Sequence, residues 1–66
     1  MIMINYDKHG DVLEIKFSEN EVESSEYLQE TGFVVDYDKA GKLISVEVLS
    51  FSKKVDDKQV IEAIAS

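Results

Sequence analysis

Residues 6–17 read YDKHGDVLEIKF, and thirty-one positions later residues 37–48 read YDKAGKLISVEV. Tyr6 aligns with Tyr37, Asp7 with Asp38, Lys8 with Lys39, and Gly10 with Gly41. A chain that spells one phrase twice is bound to fold both copies by the same local rules. In each copy a polar tetrad, DKHG or DKAG, separates two segments of alternating apolar character. Asp favours turn initiation because its carboxylate bonds the backbone ahead of it. Gly supplies the left-handed conformation that closes a tight connection. Each copy therefore predicts a strand, a turn closed at Gly10 or Gly41, and a second strand.

The alternation assigns faces. Ile2, Ile4 and Tyr6 share one side of the first strand, and Leu13, Ile15 and Phe17 one side of the second. Phe33, Val35 and Tyr37, then Ile44, Val46 and Val48, repeat the pattern. These twelve positions define an apolar face, and full burial of such a side chain contributes roughly 1.5–3 kcal/mol. Between the copies, Ser18–Glu21 is a polar break, Val22–Tyr27 a half-polar strand, and Gln29–Gly32 a second turn ending in glycine. Five strands with short links predict an antiparallel meander, because parallel pairing needs longer crossovers.

The tail VDDKQVIEAIAS carries helix-start signals: Asp56 as N-cap, Gln59 as its capping-box partner, and Val55 against Val60 as a hydrophobic staple. Val60, Ile61 and Ile64 fall on one helical face. A helix of about ten residues does not persist alone in water, so it must dock on its own sheet or on another molecule's. The expected fold class is α+β: a five-stranded antiparallel β-meander of two similar hairpins with one short C-terminal helix, as a single domain over residues 1–66.

A chain of 66 residues without cysteine lacks the disulfides that stabilise many very small proteins, and association is the remaining way to bury more surface. No apolar run approaches the roughly 20 residues of a membrane span, and the start MIMINYDK has no basic leader. The cytoplasm is the default location. The net charge is −7, and the seven basic residues are all lysines. Direct nucleic-acid binding would call for a basic stripe and for arginine, its best phosphate- and base-reading side chain, so this class is disfavoured. Acidity is concentrated in Glu19, Glu21, Glu23, Glu26 and Glu30, with no base between them. That segment reads either as a solvated edge that discourages stray pairing or as a docking surface for a basic protein partner.

The phrases YDKHGDVLEIKF, DYDKAGKLISVEVL and EVLSFSKKV together resemble a small bacterial family, domain-of-unknown-function family 2283. Its members look like Y-D-x-x-x-D-x-L-x-I, then D-Y-D-x-x-G-x-[LIV], then E-[IV]-L-x-A-S-[KR]. Tyr6, Asp7, Asp11, Leu13 and Ile15 match the first element. Asp36, Tyr37, Asp38, Gly41 and Leu43 match the second, and Glu47, Val48, Leu49, Ser52 and Lys53 the third. Glu14 stands where an aromatic is common and Phe51 where alanine is usual. The resemblance implies a shared fold and no catalytic residues. It also implies an antitoxin or accessory binder, since members occur beside small toxin-like partners.

Among the chemical candidates, His9 sits in the first turn where the second copy has Ala40, so the turn does not need it. Asp7 with Asp11, or Asp36 with Asp38, lack the further oxygen ligands of a cation loop. No phosphate-cradling glycine loop and no serine–histidine arrangement is present, so no catalytic, cofactor or metal residue is assigned. Phe51 falls in the polar stretch SFSKKV, either as a plug of the core or as an interface anchor. By alternation, Met3, Val12, Val34, Leu43 and Leu49 form a second apolar patch on the reverse sheet face, more than a solvated face needs. With Phe51 they are the candidate partner-binding residues. The expected function is a non-enzymatic interaction module, a homodimer or a binder of a basic protein. The alternative is a small metal-dependent hydrolase using the turn aspartates.

Overall fold

The computed structural model describes residues 2–56. It shows five strands: β1 Met3–Asp7, β2 Val12–Lys16, β3 Ser24–Leu28, β4 Phe33–Tyr37 and β5 Leu43–Leu49, followed by a single 3-10 turn, Phe51–Lys53. All four pairings are antiparallel and all five strands lie in one sheet. Each repeated phrase folds as an antiparallel hairpin, β1–β2 and β4–β5. The tail helix expected from Asp56 onward lies outside the described residues.

The strand order corrects the meander. It is β1-β2-β5-β4-β3, so β5 lies between β2 and β4, and β3 is displaced to the far edge. Residues 17–23 make the crossing. Three strand spacings are about 14 Å, and seven residues can span up to about 23 Å, so a short link suffices where sequence reasoning took short links to mean neighbouring strands. The Asn20 side-chain amide donates to Asp38 Oδ2 at 3.4 Å, and Glu23 N donates to the Tyr37 carbonyl at 2.8 Å, holding the link to β4 and its turn. The order is energetically sensible. It seats β5, the strand richest in aliphatic side chains, at the centre with β2 beside it, and leaves the acidic, half-polar β3 where only one side needs a partner.

The face assignment rests on register. Ile15 pairs with Val46 and Leu13 with Val48, placing the two repeats' apolar rows on a common side. Tyr6 joins across from Leu13, and Phe33 across from Val48. Leu13, Val48 and Phe51 form the buried centre, with Tyr6, Ile15, Phe33, Val46 and Val55 packed around it. The rings of Tyr6 and Phe51 meet edge to face at 5.7 Å. Ile2 and Ile4, at 63% and 61% exposed, extend beyond this centre.

Two local details differ from the alternation. A register shift at Asp36/Tyr37 pairs Asp36 with Ser45 but Tyr37 with Leu43, so Ile44 has no partner on β4. One extra residue reverses the pleat. Leu43 therefore lies across from Tyr37, on the side of Val35, and leaves the reverse face to which strict alternation assigns it. In the turns, Gly41 has φ +81° and Gly32 φ +75°, as a glycine-closed connection requires. In the first turn the left-handed residue is Asp11, φ 55°, rather than Gly10.

Asp11 is tied down on every side. Its Oδ1 accepts from the Tyr6 hydroxyl at 2.6 Å and from Ser52 N at 2.9 Å, and its Oδ2 from the Ser52 hydroxyl at 2.6 Å. Its carbonyl accepts from Phe51 N at 2.9 Å. These bonds clamp the 3-10 turn onto the first hairpin and so set Phe51 into the core.

Candidate interaction surfaces

Register places the reverse face in rows. Asn5, Glu14, Glu47, Val34 and Tyr27 form one, and Met3, Lys16, Ser45, Asp36 and Ser25 the next. Val12 lies across from Leu49 at the turn end. Of the six candidate partner-binding residues, the structure thus brings Val12 and Leu49 together, with Val34 diagonal to Leu49 and Tyr27 beyond it. Met3 stands apart, beside Lys16. Leu43 is on the opposite side for the reason given above, and Phe51, 7% exposed, is in the core. The six do not make one patch. Phe51 acts as the plug because the Asp11 clamp turns it inward over Leu13 and Val48.

The middle of the reverse face holds an arrangement that sequence reasoning missed. Asp36 is 6% exposed and Ser45 2%. Asp36 accepts from the Ser25 hydroxyl at 2.5 Å and the Ser45 hydroxyl at 2.6 Å, one on each neighbouring strand. Burial alone would push the Asp36 carboxyl up, but the hydroxyls of Ser25 and Ser45 and the side chain of Glu47 stabilise its charge, and the net shift is downward. Glu47 moves the other way, raised by burial, by hydrogen bonding to Asp36, and by repulsion from Asp36 and Glu14. Asp36 is thus the charged member and Glu47 the one that takes a proton first. An aspartate inside the apolar run FVVDY was the visible signal. Its partners could be named only once β3 and β5 were known to flank β4.

The turn aspartates are engaged in turn-building. Asp7 Oδ1 accepts from His9 N at 3.0 Å. Asp38 Oδ1 accepts from Ala40 N and Lys42 N, each at 2.9 Å. The Asp38 carboxyl is lowered, chiefly by the Lys42 N–H. The Asp11 carboxyl is lowered chiefly by the Ser52 hydroxyl, with Tyr6 second, and the Tyr6 phenol is raised in return by its bond to Asp11. His9 is exposed. Among the described residues no group of three or more His, Asp or Glu is placed to hold a metal ion, and no helix is long and apolar enough to cross a membrane.

The two edges of the sheet differ in kind. Every residue of β3 is exposed, including Tyr27 at 58% and Leu28 at 39%. It runs through the acidic segment, between Glu23 and Glu30, and carries Glu26. Tyr27, Leu28, Gln29, Glu30 and Thr31 line a shallow recess at its end. At the opposite edge, residues 2–6 read IMINY without a charge, and Ile2, Met3 and Ile4 are 63%, 50% and 61% exposed.

Comparison with curated proteins and with solved structures gives no match. A family model described as "Protein of unknown function (DUF2283)" matches residues 3–52. That span runs from the first residue of β1 to Ser52 and includes Tyr6, Asp11 and Ser52, the side chains of the clamp, together with Asp36. The chain belongs to the DUF2283 family.

Proposed function

We propose that this chain is a non-enzymatic, cytoplasmic protein-interaction module of the antitoxin-like kind, whose acidic β3 edge receives a basic protein. The observation that supports this reading is the exposure of the whole of β3 at the sheet edge, carrying Glu26 and flanked by Glu21, Glu23 and Glu30. An edge strand offers unpaired backbone groups for an added strand. Exposed glutamates steer a basic partner toward it and discourage acidic ones. Tyr27 and Leu28 supply apolar anchors beside the charges. The metal-dependent hydrolase, as the alternative, would need aspartate oxygens free to bind an ion. The bonds that Asp11, Asp36 and Asp38 already make weigh against it.

The test is co-purification with a lysine- and arginine-rich protein encoded beside this chain. The pair should elute as one species of summed mass, and the triple change Glu21→Lys, Glu23→Lys, Glu26→Lys should abolish the complex. A complex that survives charge reversal, or a genome with no basic neighbour, would remove the antitoxin form of the reading.

A further inference from the structure

We infer that β1 is a self-association edge: two copies pair their β1 strands antiparallel about a two-fold axis near Ile4, joining two five-stranded sheets into one continuous sheet. The inference shares with the proposed function the premise of an interaction module, but it uses the opposite edge of the sheet and a different partner.

The first argument is the contrast between edges. Soluble proteins protect exposed strand edges with charges, prolines, bulges or a covering element. β3 is protected by glutamates, and pairing it with its own copy would set like charges side by side. The stretch Ile2–Tyr6 has no charge and no proline, and its register with β2 runs without a shift from Met3↔Lys16 to Asp7↔Val12. Ile2, Met3 and Ile4 are half to two-thirds exposed. An uncharged, regular edge with apolar side chains is a pairing surface by default.

The second argument selects a second copy as the occupant. A β1 edge laid on another copy's β3 edge would be a head-to-tail contact and would continue into a filament. It would also bury Glu26 against Ile2 and Ile4. Pairing β1 with β1 closes after two copies. With Ile4 at the centre of Ile2–Tyr6, the copies oppose Ile4 to Ile4, Met3 to Asn5, and Ile2 to Tyr6, all uncharged pairs. The charged groups near this edge balance: Asp7 and Glu14 against Lys8 and Lys16.

The net charge of −7 does not forbid this. β1 and β3 are four strand spacings apart, about 19 Å, well beyond the screening length of about 8 Å at 0.15 M salt. In the paired sheet the two acidic edges would be farther apart still. One short strand per copy is a small interface, at the low end of specific contacts. A dissociation constant of about 1–100 µM is therefore expected, about 5–8 kcal/mol of association free energy.

The native chain contains no cysteine, which permits a clean test. Directly opposed residues in an antiparallel pair have Cα atoms about 4.5–5.5 Å apart, within the range that a disulfide spans. Ile4→Cys should oxidise to a covalent dimer at least ten times faster than Glu26→Cys on the other edge. Equilibrium sedimentation of the parent at about 200 µM should give a weight-average mass of about 1.6 to 2 times the chain mass for dissociation constants in that range, and Ile4→Lys should return it to one. A parent that stays monomeric at that concentration, or equal cross-linking from both cysteines, would overturn the pairing. So would a dimer that Ile4→Lys leaves intact. None of these outcomes depends on a basic partner, and the charge-reversal test at β3 leaves β1 untouched.

Discussion

At the scale of single residues, the neighbouring carboxylates of buried Asp36 and half-buried Glu47 divide into one that the fold wants charged and one that it does not. Asp36 is held below its ordinary range once the hydroxyls of Ser25 and Ser45 and the nearby Glu47 outweigh the cost of burial. A lowered carboxyl contributes stability at neutral pH that disappears as pH falls through its folded value. Asp11 and Asp38 act in the same direction, so acid should weaken the fold below about pH 4. Glu47 has the opposite sign. Its folded pKa is raised, so its contribution is present below the unfolded value of about 4.3 and is lost as pH rises through the folded value. Glu47→Gln keeps a donor toward Asp36 and removes the second charge. This variant should melt higher than the parent at pH 7, and the two should converge at about pH 4. Thermal denaturation followed by circular dichroism at both pH values would show it. A variant that melts lower than the parent at pH 7 would mean that Glu47 is wanted charged.

At the scale of elements, the two turns carry similar phrases but solve the connection differently. Gly41 at φ +81° has open space where a Cβ would stand, so Gly41→Ala meets backbone strain alone and should cost about 1–2 kcal/mol. At Gly10 the left-handed residue is one step later, at Asp11. A Cβ at Gly10 would come within 3.0 Å of Asp7 Oδ2, the end of a side chain that can turn aside. Gly10→Ala should therefore stay within about 0.5 kcal/mol of the parent, although the repeated phrase makes the two glycines look equivalent. Urea titration of both variants separates the cases, and equal losses would contradict the assignment. The difference shows what could be read from sequence and what could not. The positions of β1, β2, β4 and β5 and the shared face of Ile15 and Val46 followed from alternation, a local property, whereas the third strand, expected over Val22–Tyr27, runs from Ser24 to Leu28. Strand order did not, because the choice between β3 and β5 as the neighbour of β2 depends on contacts far along the chain. The reversal at Leu43 did not either, because a single unpaired residue, Ile44, has no signature in hydropathy. Likewise the Tyr6–Asp11–Ser52 clamp includes a bond, Ser52 to Asp11, between positions 41 residues apart. All three lie within the span of the family match, but nothing in spacing reveals that they touch.

At the scale of the whole molecule, charge is sorted across the sheet: a neutral edge at β1, and a glutamate-rich one at β3. Glu19, Glu21 and Glu23 in the link before β3 and Glu26 within it are close in sequence with no base between them, so their like charges repel. This self-repulsion acts against the folded state and is screened by salt, whose screening length falls from about 30 Å at 0.01 M to about 3 Å at 1 M. Raising sodium chloride across that range should stabilise the parent by on the order of 1 kcal/mol, or about 4–8 °C in Tm for a domain of this size. Salt also strengthens apolar burial in general, so the informative comparison is with Glu23→Gln/Glu26→Gln. If the edge glutamates are the source, the double variant should start higher at low salt and gain less on salt addition. Parallel curves for the two chains would instead assign the salt response to apolar burial, and would remove electrostatic self-repulsion as the reason that β3 lies at an edge while β5 fills the centre.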